Sequence, residues 1–390
     1  MKIKRLFWIL FLLNLFNYID RQVLYAVFPL LQHDLALSDL QLGTLASAFM
    51  LVYMCYAPVV GYCADRMSRP WLIAFSAFIW SGATLACAGA KNYISLLLPR
   101  TLIGVGEGGF TTIAQPFLAE HYPKEKHAPL LAAFGLALPL GSALGYIIGA
   151  VAGSHWGWRV AFMIVGVPGM VLALLAGTIL KDKARTVKNT STPTLVDYWP
   201  LLKNKPFLYI CLAQAMSTFL MGGLAAWMPT YLHRFAGLTI AQAGTYFGGL
   251  VIICGFLGTY LGGKLAAWWL ARSNHAYGQL ITWSFLLAVP LCWGAVCTPA
   301  TWILFVCLAL ILILLFIPTG SIAAALVATT PGPVRSMAFA LNIFLIHLLG
   351  DAISPAIIGQ ISDLWSLKVA VLIASLALLP GAWAAWKAHT

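Results

Sequence analysis

The chain is built of long apolar runs separated by short polar punctuation. A helix needs roughly 20 apolar residues to cross the hydrocarbon of a bilayer. With Pro, Gly and charge clusters taken as boundaries, the sequence contains twelve such runs, over residues 6–31, 40–62, 71–90, 94–118, 129–152, 158–180, 206–232, 240–268, 276–297, 301–326, 335–360 and 366–386. The longest polar connection, KDKARTVKNTSTPTLVDYWPLLKNKP from Lys181 to Pro206, follows the sixth run. The pattern predicts an all-α integral membrane protein with twelve transmembrane helices in two pseudo-symmetric six-helix bundles, 1–180 and 206–390, joined by a linker over 181–205.

The two halves echo each other. FPLLQHDLALSDLQLG begins at Phe28 and MPTYLHRFAGLTIAQAG at Met228, so that Pro29 answers Pro229. One residue further in offset, Ser38, Gln41 and Gly43 answer Thr239, Gln242 and Gly244. Each copy carries Ser/Thr-x-x-Gln, a capping box that satisfies free N–H groups at a helix start. Spans 2 and 8 should therefore begin at equivalent points. Chance likeness of two apolar segments is the weaker reading, because the offset is near half the chain length. Two six-helix repeats with a midplane site form a transporter architecture.

Composition agrees: 61% of the 390 residues are hydrophobic and 9% are charged, against about a quarter charged in soluble domains. The net charge of +12 does not call for nucleic acid, because the basic residues lie in short loops where they orient the chain against anionic lipid. With the N-terminus inside, 17 of the 23 Lys and Arg fall on the cytoplasmic side, 4 outside, and Arg21 and Arg100 within spans. That bias places both termini in the cytoplasm. The N-terminal MKIKRLFWILFLLNLF is signal-like for a few residues, yet its apolar run continues without a small-residue cleavage site, so it is read as a retained first helix. The eight cysteines lack ligand spacing and are read as packing residues, neither disulfides nor metal ligands.

Several motifs resemble those of the major facilitator superfamily. Gly61-Tyr-Cys-Ala-Asp65-Arg66-Met-Ser-Arg69 resembles its loop G-x-L-x-D-R-x-G-R-R, with Cys63, Ser68 and Pro70 replacing the usual Leu, Gly and basic residue. The counterpart GGKLAAWWLAR keeps Gly263 and Leu265 and has Ala267 in place of an acid. More narrowly, the chain resembles the Spinster family in four stretches: NYIDRQVL, RTLIGVGEGG, GWRVAF followed by GVPG, and FLIHLLGDAISPAIIGQISD from Phe344 to Asp363. Gly108 stands where that family usually has Ala. The resemblance implies a major facilitator fold and a secondary transporter of sphingolipid or lysophospholipid type.

A charge at the centre of a membrane helix costs about 2.5–3.5 kcal/mol on insertion scales, so such residues face the bundle interior and are functional by default. Asp20, Glu107 and His347 lie near the middles of spans 1, 4 and 11, and Arg100 about 9 Å below the outer end of span 4 at helical rise. Asp20 and Arg21 are neighbours, point about 100° apart, and need separate partners. Spans 1 and 4 line the central cavity of the superfamily, so the resemblance implies that Asp20, Arg21 and Glu107 form one cluster. Two acids then share one base, and one carboxyl is expected to carry a proton. Asp20 and Glu107 are the candidates for proton coupling; an ion-paired strut that only fixes helix packing is the alternative.

Arg21 could instead hold an anionic headgroup, since guanidinium suits phosphate. Candidate substrate-binding residues are Arg21, Arg100, Asn17, Tyr18, Trp227, His347 and Asp351. His347 and Asp351 are four apart, either a pH-sensing pair or a packing hydrogen bond. The resemblance makes Asp65, Arg66, Arg69, Glu120 and Arg335 a cytoplasmic latch; topology-setting charge is the rival reading. Aromatics such as Phe16, Tyr18, Phe110, Trp227 and Tyr231 suit an apolar tail. Glycines 141, 145, 149 and 153 mark one bare helix face for close approach, and Pro29, Pro116, Pro139, Pro168, Pro229, Pro318 and Pro355 are expected bends.

The sequence thus reads as a secondary active transporter working by alternating access. No G-x-x-x-x-G-K-[ST] is present, so protons are the expected energy source. An amphipathic anion, lysophospholipid or sphingolipid-like, is the expected substrate; export of drugs or small organic anions is the alternative. An intramembrane hydrolase lacks H-E-x-x-H and G-x-S-x-G, and a scaffold gains nothing from midplane charge. No cofactor and no metal are expected. The expected setting is a bacterial inner membrane, with the protein a functional monomer.

Overall fold

The computed structural model describes residues 2–64, 66–123, 126–181, 199–273, 275–330 and 335–388. Asp65, the linker residues 182–198 and the side chain of Arg335 lie outside the described residues. The described residues are helical nearly throughout. In chain order the helices are α1 Lys2–Ala26, α2 Phe28–Leu35, α3 Asp39–Ala64, α4 Arg69–Ala88, α5 Tyr93–Glu120, α6 His127–Gly135, α7 Ala137–Trp156, α8 Trp158–Ile179 and α9 Trp199–Lys203. They continue with α10 Lys205–Phe235, α11 Ile240–Leu270, α12 Ala276–Cys297, α13 Thr301–Phe316, α14 Thr319–Ala328, α15 Arg335–Ile346, α16 Ser354–Leu364, α17 Leu367–Ser375 and α18 Leu378–Lys387. Among the described residues, ten segments are long and apolar enough to cross a membrane. Helices α1 and α5 also have span length, and they carry the buried charges Asp20, Arg100 and Glu107.

Several spans that the apolar pattern draws as continuous are broken. Val27 separates α1 from α2, with Pro29 in the first turn of α2. Pro318 caps α14 after α13 ends. Span 11 runs as α15, a π-helical turn over His347–Asp351, and α16, which opens on Pro355. Gly350 in that turn has φ −108° and ψ −109°, outside helical geometry. Hydropathy cannot show these breaks, because the residues on both sides stay apolar. A proline lacks the N–H that would continue the ladder, so the helix restarts at it.

The chain forms two compact units: Met1–Val187 with Ala225–Gly249, and Lys188–Leu224 with Leu250–Thr390. In the first, α1 packs on α7 and α8, α3 on α5, and α4 on α5 and α8. In the second, α12 packs on α13, α14, α17 and α18, and α16 packs on α17. Both expected capping boxes form. Gln41 N–H donates to Ser38 Oγ at 3.2 Å and Ser38 N–H to Gln41 Oε1 at 3.0 Å. Thr239 and Gln242 repeat the pair at the same distances.

Glycines set the helix separations of the first unit. A Cβ at Gly141 or Gly145 would lie 2.6 or 2.5 Å from the carbonyl oxygens of Leu15 and Ile19, and Gly149 and Gly153 meet Val23 and Val27 further along the same chain. The glycine face of α7 is therefore spent on α1. In α5 the glycines divide. Gly104 and Gly108 face α3, where a Cβ would come within 2.5 Å of Phe49 O and 2.8 Å of Tyr53 O. Gly106 and Gly109 face α4 at Ser76 and Trp80. So α5 is clamped between two helices at backbone distance.

One ion pair escaped the sequence reading. Arg234 donates from Nη1 and Nη2 to the two carboxylate oxygens of Asp39, at 2.7 and 2.6 Å, and from Nη2 to Gln32 Oε1 at 2.7 Å. Gln32 Nε2 completes the ring by donating to Asp39 Oδ1 at 2.9 Å. Asp39 is nearly buried, 6% exposed against 24% for Arg234. Nearby, Trp158 Nε1 donates to Asp34 Oδ2 at 2.9 Å. That bond, helped by His33 and Arg159, holds the Asp34 carboxyl below its ordinary range.

Gly104→Ala forces a methyl against backbone, and overpacking of this kind costs about 1–3 kcal/mol. Thermal unfolding in detergent should show a lower midpoint for it. Gly263→Ala, where nothing lies within 4 Å of the added Cβ, should leave the midpoint unchanged or raise it. Arg234→Ala leaves Asp39 nearly buried without its bidentate partner, and should lower stability by on the order of 2 kcal/mol in the same assay.

Candidate functional site

Helical spacing assembles a polar centre inside the first unit. Arg100, Gly104, Glu107 and Thr111 recur at four, three and four residues, one stripe of α5. The two glycines on the α3 side of α5 draw Phe49 and Tyr53 to this stripe. Tyr53 Oη and Thr111 Oγ1 are 2.8 Å apart, and Thr111 donates back to the Glu107 carbonyl at 3.0 Å.

Asp20 and Arg21 leave α1 in different directions, as their adjacency requires. Arg21 reaches α5, where Nη2 donates to Glu107 Oε2 at 2.8 Å. Glu107 is fully buried and Arg21 is 14% exposed. The guanidinium lies 5.4, 5.0 and 5.3 Å from the ring centres of Tyr18, Phe49 and Tyr53, inside the range of cation–π attraction. Asp20 turns instead to α4, where Thr84 Oγ1 donates to Oδ2 at 2.5 Å. Asp20, Asn17 and Arg100 are buried with it.

The expected cluster therefore divides. Arg21 and Glu107 form an ion pair; Asp20 pairs with a threonine hydroxyl. Each carboxyl has one bonded oxygen and one, Asp20 Oδ1 and Glu107 Oε1, without a hydrogen-bond partner among the described residues. All three guanidinium nitrogens of Arg100 are likewise without one, as are both amide atoms of Asn17. The Arg100 guanidinium lies 5.3 Å from the Phe49 ring centre. Such an arrangement can take up and release protons at two carboxyls. It can also exchange Arg21 between a carboxylate and another anion.

The other candidates fall elsewhere. Trp227 is fully buried in the first unit, its ring 5.3 Å from that of Phe28. Arg69 Nη1 donates to Glu120 Oε1 at 2.7 Å, tying the start of α4 to the end of α5. Arg66 lies over the Tyr62 ring at 3.5 Å and donates to the Tyr62 carbonyl at 3.1 Å. In the second unit, His347 Nδ1 and Asp351 Oδ1 are 2.9 Å apart across the π turn. Gly222 of α10 packs against Asp351, and Asn342 Nδ2 donates to Gln214 Oε1 at 2.9 Å. Among the described residues no group of three or more His, Cys, Asp or Glu is placed to hold a metal.

Thr84, Phe49 and Tyr53 were not singled out by the sequence. Thr84 sits in an apolar span where a single hydroxyl carries no signal. Phe49 and Tyr53 are four apart, a spacing that places both on one face, but only the glycine pattern of α5 says which face it is. Arg234 looked like one of four outer-side charges, and its partner Asp39 is far away in sequence.

Comparison with known proteins agrees with this architecture. Residues 10–355 match the model of the Major Facilitator Superfamily. A sphingosine-1-phosphate transporter of Xenopus tropicalis is 31% identical over 371 residues, covering 90% of this chain and 72% of that protein. Protein spinster homolog 1 of Xenopus tropicalis is 32% identical over 379 residues, covering 91% of this chain and 72% of that protein. A crystal structure of a bacterial homologue of the human lysosomal transporter Spinster, inward-facing and unoccupied, has the same fold: TM-score 0.88 at 20% identity, over 100% of this chain and 97% of that one. By sequence and by fold, the chain belongs to the major facilitator superfamily and, within it, to the Spinster family of membrane transporters.

Proposed function

We propose that this transporter moves an amphipathic anionic lipid, of sphingolipid or lysophospholipid type, by proton-coupled alternating access. The observation that carries the reading is the Arg21–Glu107 ion pair, 2.8 Å long with Glu107 fully buried. A proton on Glu107 removes the charge that holds Arg21. The freed guanidinium then takes the anionic headgroup, for which its planar fork is suited. Loss of the proton restores the pair and expels the headgroup. Asp20, bonded only through Oδ2, is the second protonation site, and Arg100, Asn17, Tyr18 and Trp227 serve the substrate in this reading. His347 and Asp351, in the second unit, are further candidate substrate-binding residues in this reading.

The six-helix halves 1–180 and 206–390, joined over 181–205, are the elements that exchange access. Arg69 and Glu120, already bonded at 2.7 Å, form the core of a latch with Asp65, Arg66 and Arg335. The glycine face of α7, packed on α1, lets these two helices slide along one another in this reading. The excess of basic residues on one side supports cytoplasmic termini, and short loops support a bacterial inner membrane; the protein works as a monomer in this reading. The substrate class is supported by the relative that carries sphingosine-1-phosphate in its name.

Purified protein in liposomes loaded with sphingosine-1-phosphate or a lysophospholipid should show flux that rises with an imposed pH gradient and stops with a protonophore. Flux indifferent to the gradient would end the proton-coupled reading. Flux of a drug or small organic-anion panel, with neither lipid moved, would favour the alternative substrate class. Asp20→Asn and Glu107→Gln should each lower gradient-driven flux by at least about tenfold, the effect of about 1.4 kcal/mol, while eluting as folded protein. Full activity in both variants would remove the carboxyls from the coupling site.

A further inference from the structure

Phe49 lies within cation–π range of both arginines of the polar centre. It is fully buried, and its ring centre lies 5.0 Å from the Arg21 guanidinium carbon and 5.3 Å from that of Arg100. Its backbone cannot drift, because Gly104 of α5 abuts the Phe49 carbonyl and Gly108 abuts that of Tyr53. Arg100 is buried with no hydrogen bond to any of its three guanidinium nitrogens among the described residues. Asp20 is buried in the same cluster with Oδ1 open, and the two do not form an ion pair. A buried cation and a buried carboxyl thus share a cluster without closing on each other.

Chemistry favours the opposite outcome. A guanidinium–carboxylate bond supplies both charge and hydrogen bonds, whereas a ring face supplies charge attraction alone. Something must hold Arg100 off, and the Phe49 ring lies against its guanidinium. We propose that Phe49 is a positioning residue of this site: its ring holds Arg100 away from Asp20, so that Asp20 stays open while Arg21 closes on Glu107. The inference rests on the proton-coupled reading above for its consequence in transport, and on geometry alone for the placement of Arg100. One ring thereby divides four charges into a closed pair, Arg21 with Glu107, and an open pair, Arg100 with Asp20.

The titratable and charged groups around the ring and these pairs are Tyr18, Asp20 and Arg21 on α1, Tyr53 on α3, Cys87 on α4, and Arg100 and Glu107 on α5. Removing the ring allows Arg100 to turn onto Asp20. An opposite charge at contact distance favours the charged carboxylate, by about 1–3 pH units in known cases. Protons must then come from a more acidic solution.

The test uses the full-length protein with Phe49→Leu, which keeps an apolar side chain but removes the ring, and Phe49→Tyr, which keeps the ring. Protonation is followed without substrate by the carboxylic-acid C=O stretch in infrared difference spectra across pH. Gradient-driven flux of sphingosine-1-phosphate in liposomes is measured in parallel. Phe49→Leu should move the infrared titration and the flux profile toward acid by at least about one pH unit, and Phe49→Tyr should overlay the parent. In an Arg100→Gln background Phe49→Leu should shift nothing further, because the group that would close on Asp20 is gone. Should Phe49→Leu fail to fold, Phe49→Met is read in the same way.

A Phe49→Leu titration that overlays the parent overturns the proposal. So does an equal shift in Phe49→Tyr, or a shift that persists without Arg100. An infrared shift with flux indifferent to the gradient would keep Phe49 as the positioning residue and overturn the proton-coupled reading instead.

Discussion

The close approach of α3, α4 and α5, set by alternate glycines, is the constraint on which the polar centre depends. A guanidinium reaches only a few ångströms beyond its helix, and at ordinary helix spacing of about 8–10 Å the rings of α3 would not sit among the charges of α1 and α5. Gly104 and Gly108 remove that spacing on one side of α5, and Gly106 and Gly109 on the other. The run GVGEGG is thus the geometric condition for Glu107 to be buried and still meet Arg21. Its charge then lies where water is excluded, and electrostatic attraction is stronger than at a wet surface.

Much of this was legible in the chain. The apolar runs marked the helices, because the bilayer fixes their length. The two capping boxes were readable because a Ser/Thr and a Gln three residues on is a local code, fulfilled within one helical turn. The divergence of Asp20 and Arg21 followed from helical geometry, and so did the meeting of His347 with Asp351. What could not be read were other partners chosen across the fold. Nothing near Asp20 in sequence announces Thr84, and nothing near Asp39 announces Arg234. The π turn was equally hidden, since an extra residue in a helix leaves hydropathy unchanged.

The site also shows two ways of keeping charge in an apolar setting. Arg21 is held by a carboxylate and three rings, with its Nε unbonded among the described residues. Arg100 has a ring and no hydrogen bond among the described residues. Groups of the second kind are costly to bury, and that cost leaves them ready to respond when a proton or an anion arrives.

The π turn of span 11 has a consequence for which side chains share a face. Asn342 and Ser354 are twelve residues apart, which on a regular α-helix would separate them by about 120°. The π turn and the non-helical backbone at Gly350 break that register. Both residues accordingly meet α10: Asn342 through Gln214, and Ser354 beside Gly222 and Gly223. The break acts as a phase shifter, aligning two polar positions along one seam that a continuous helix would have turned apart.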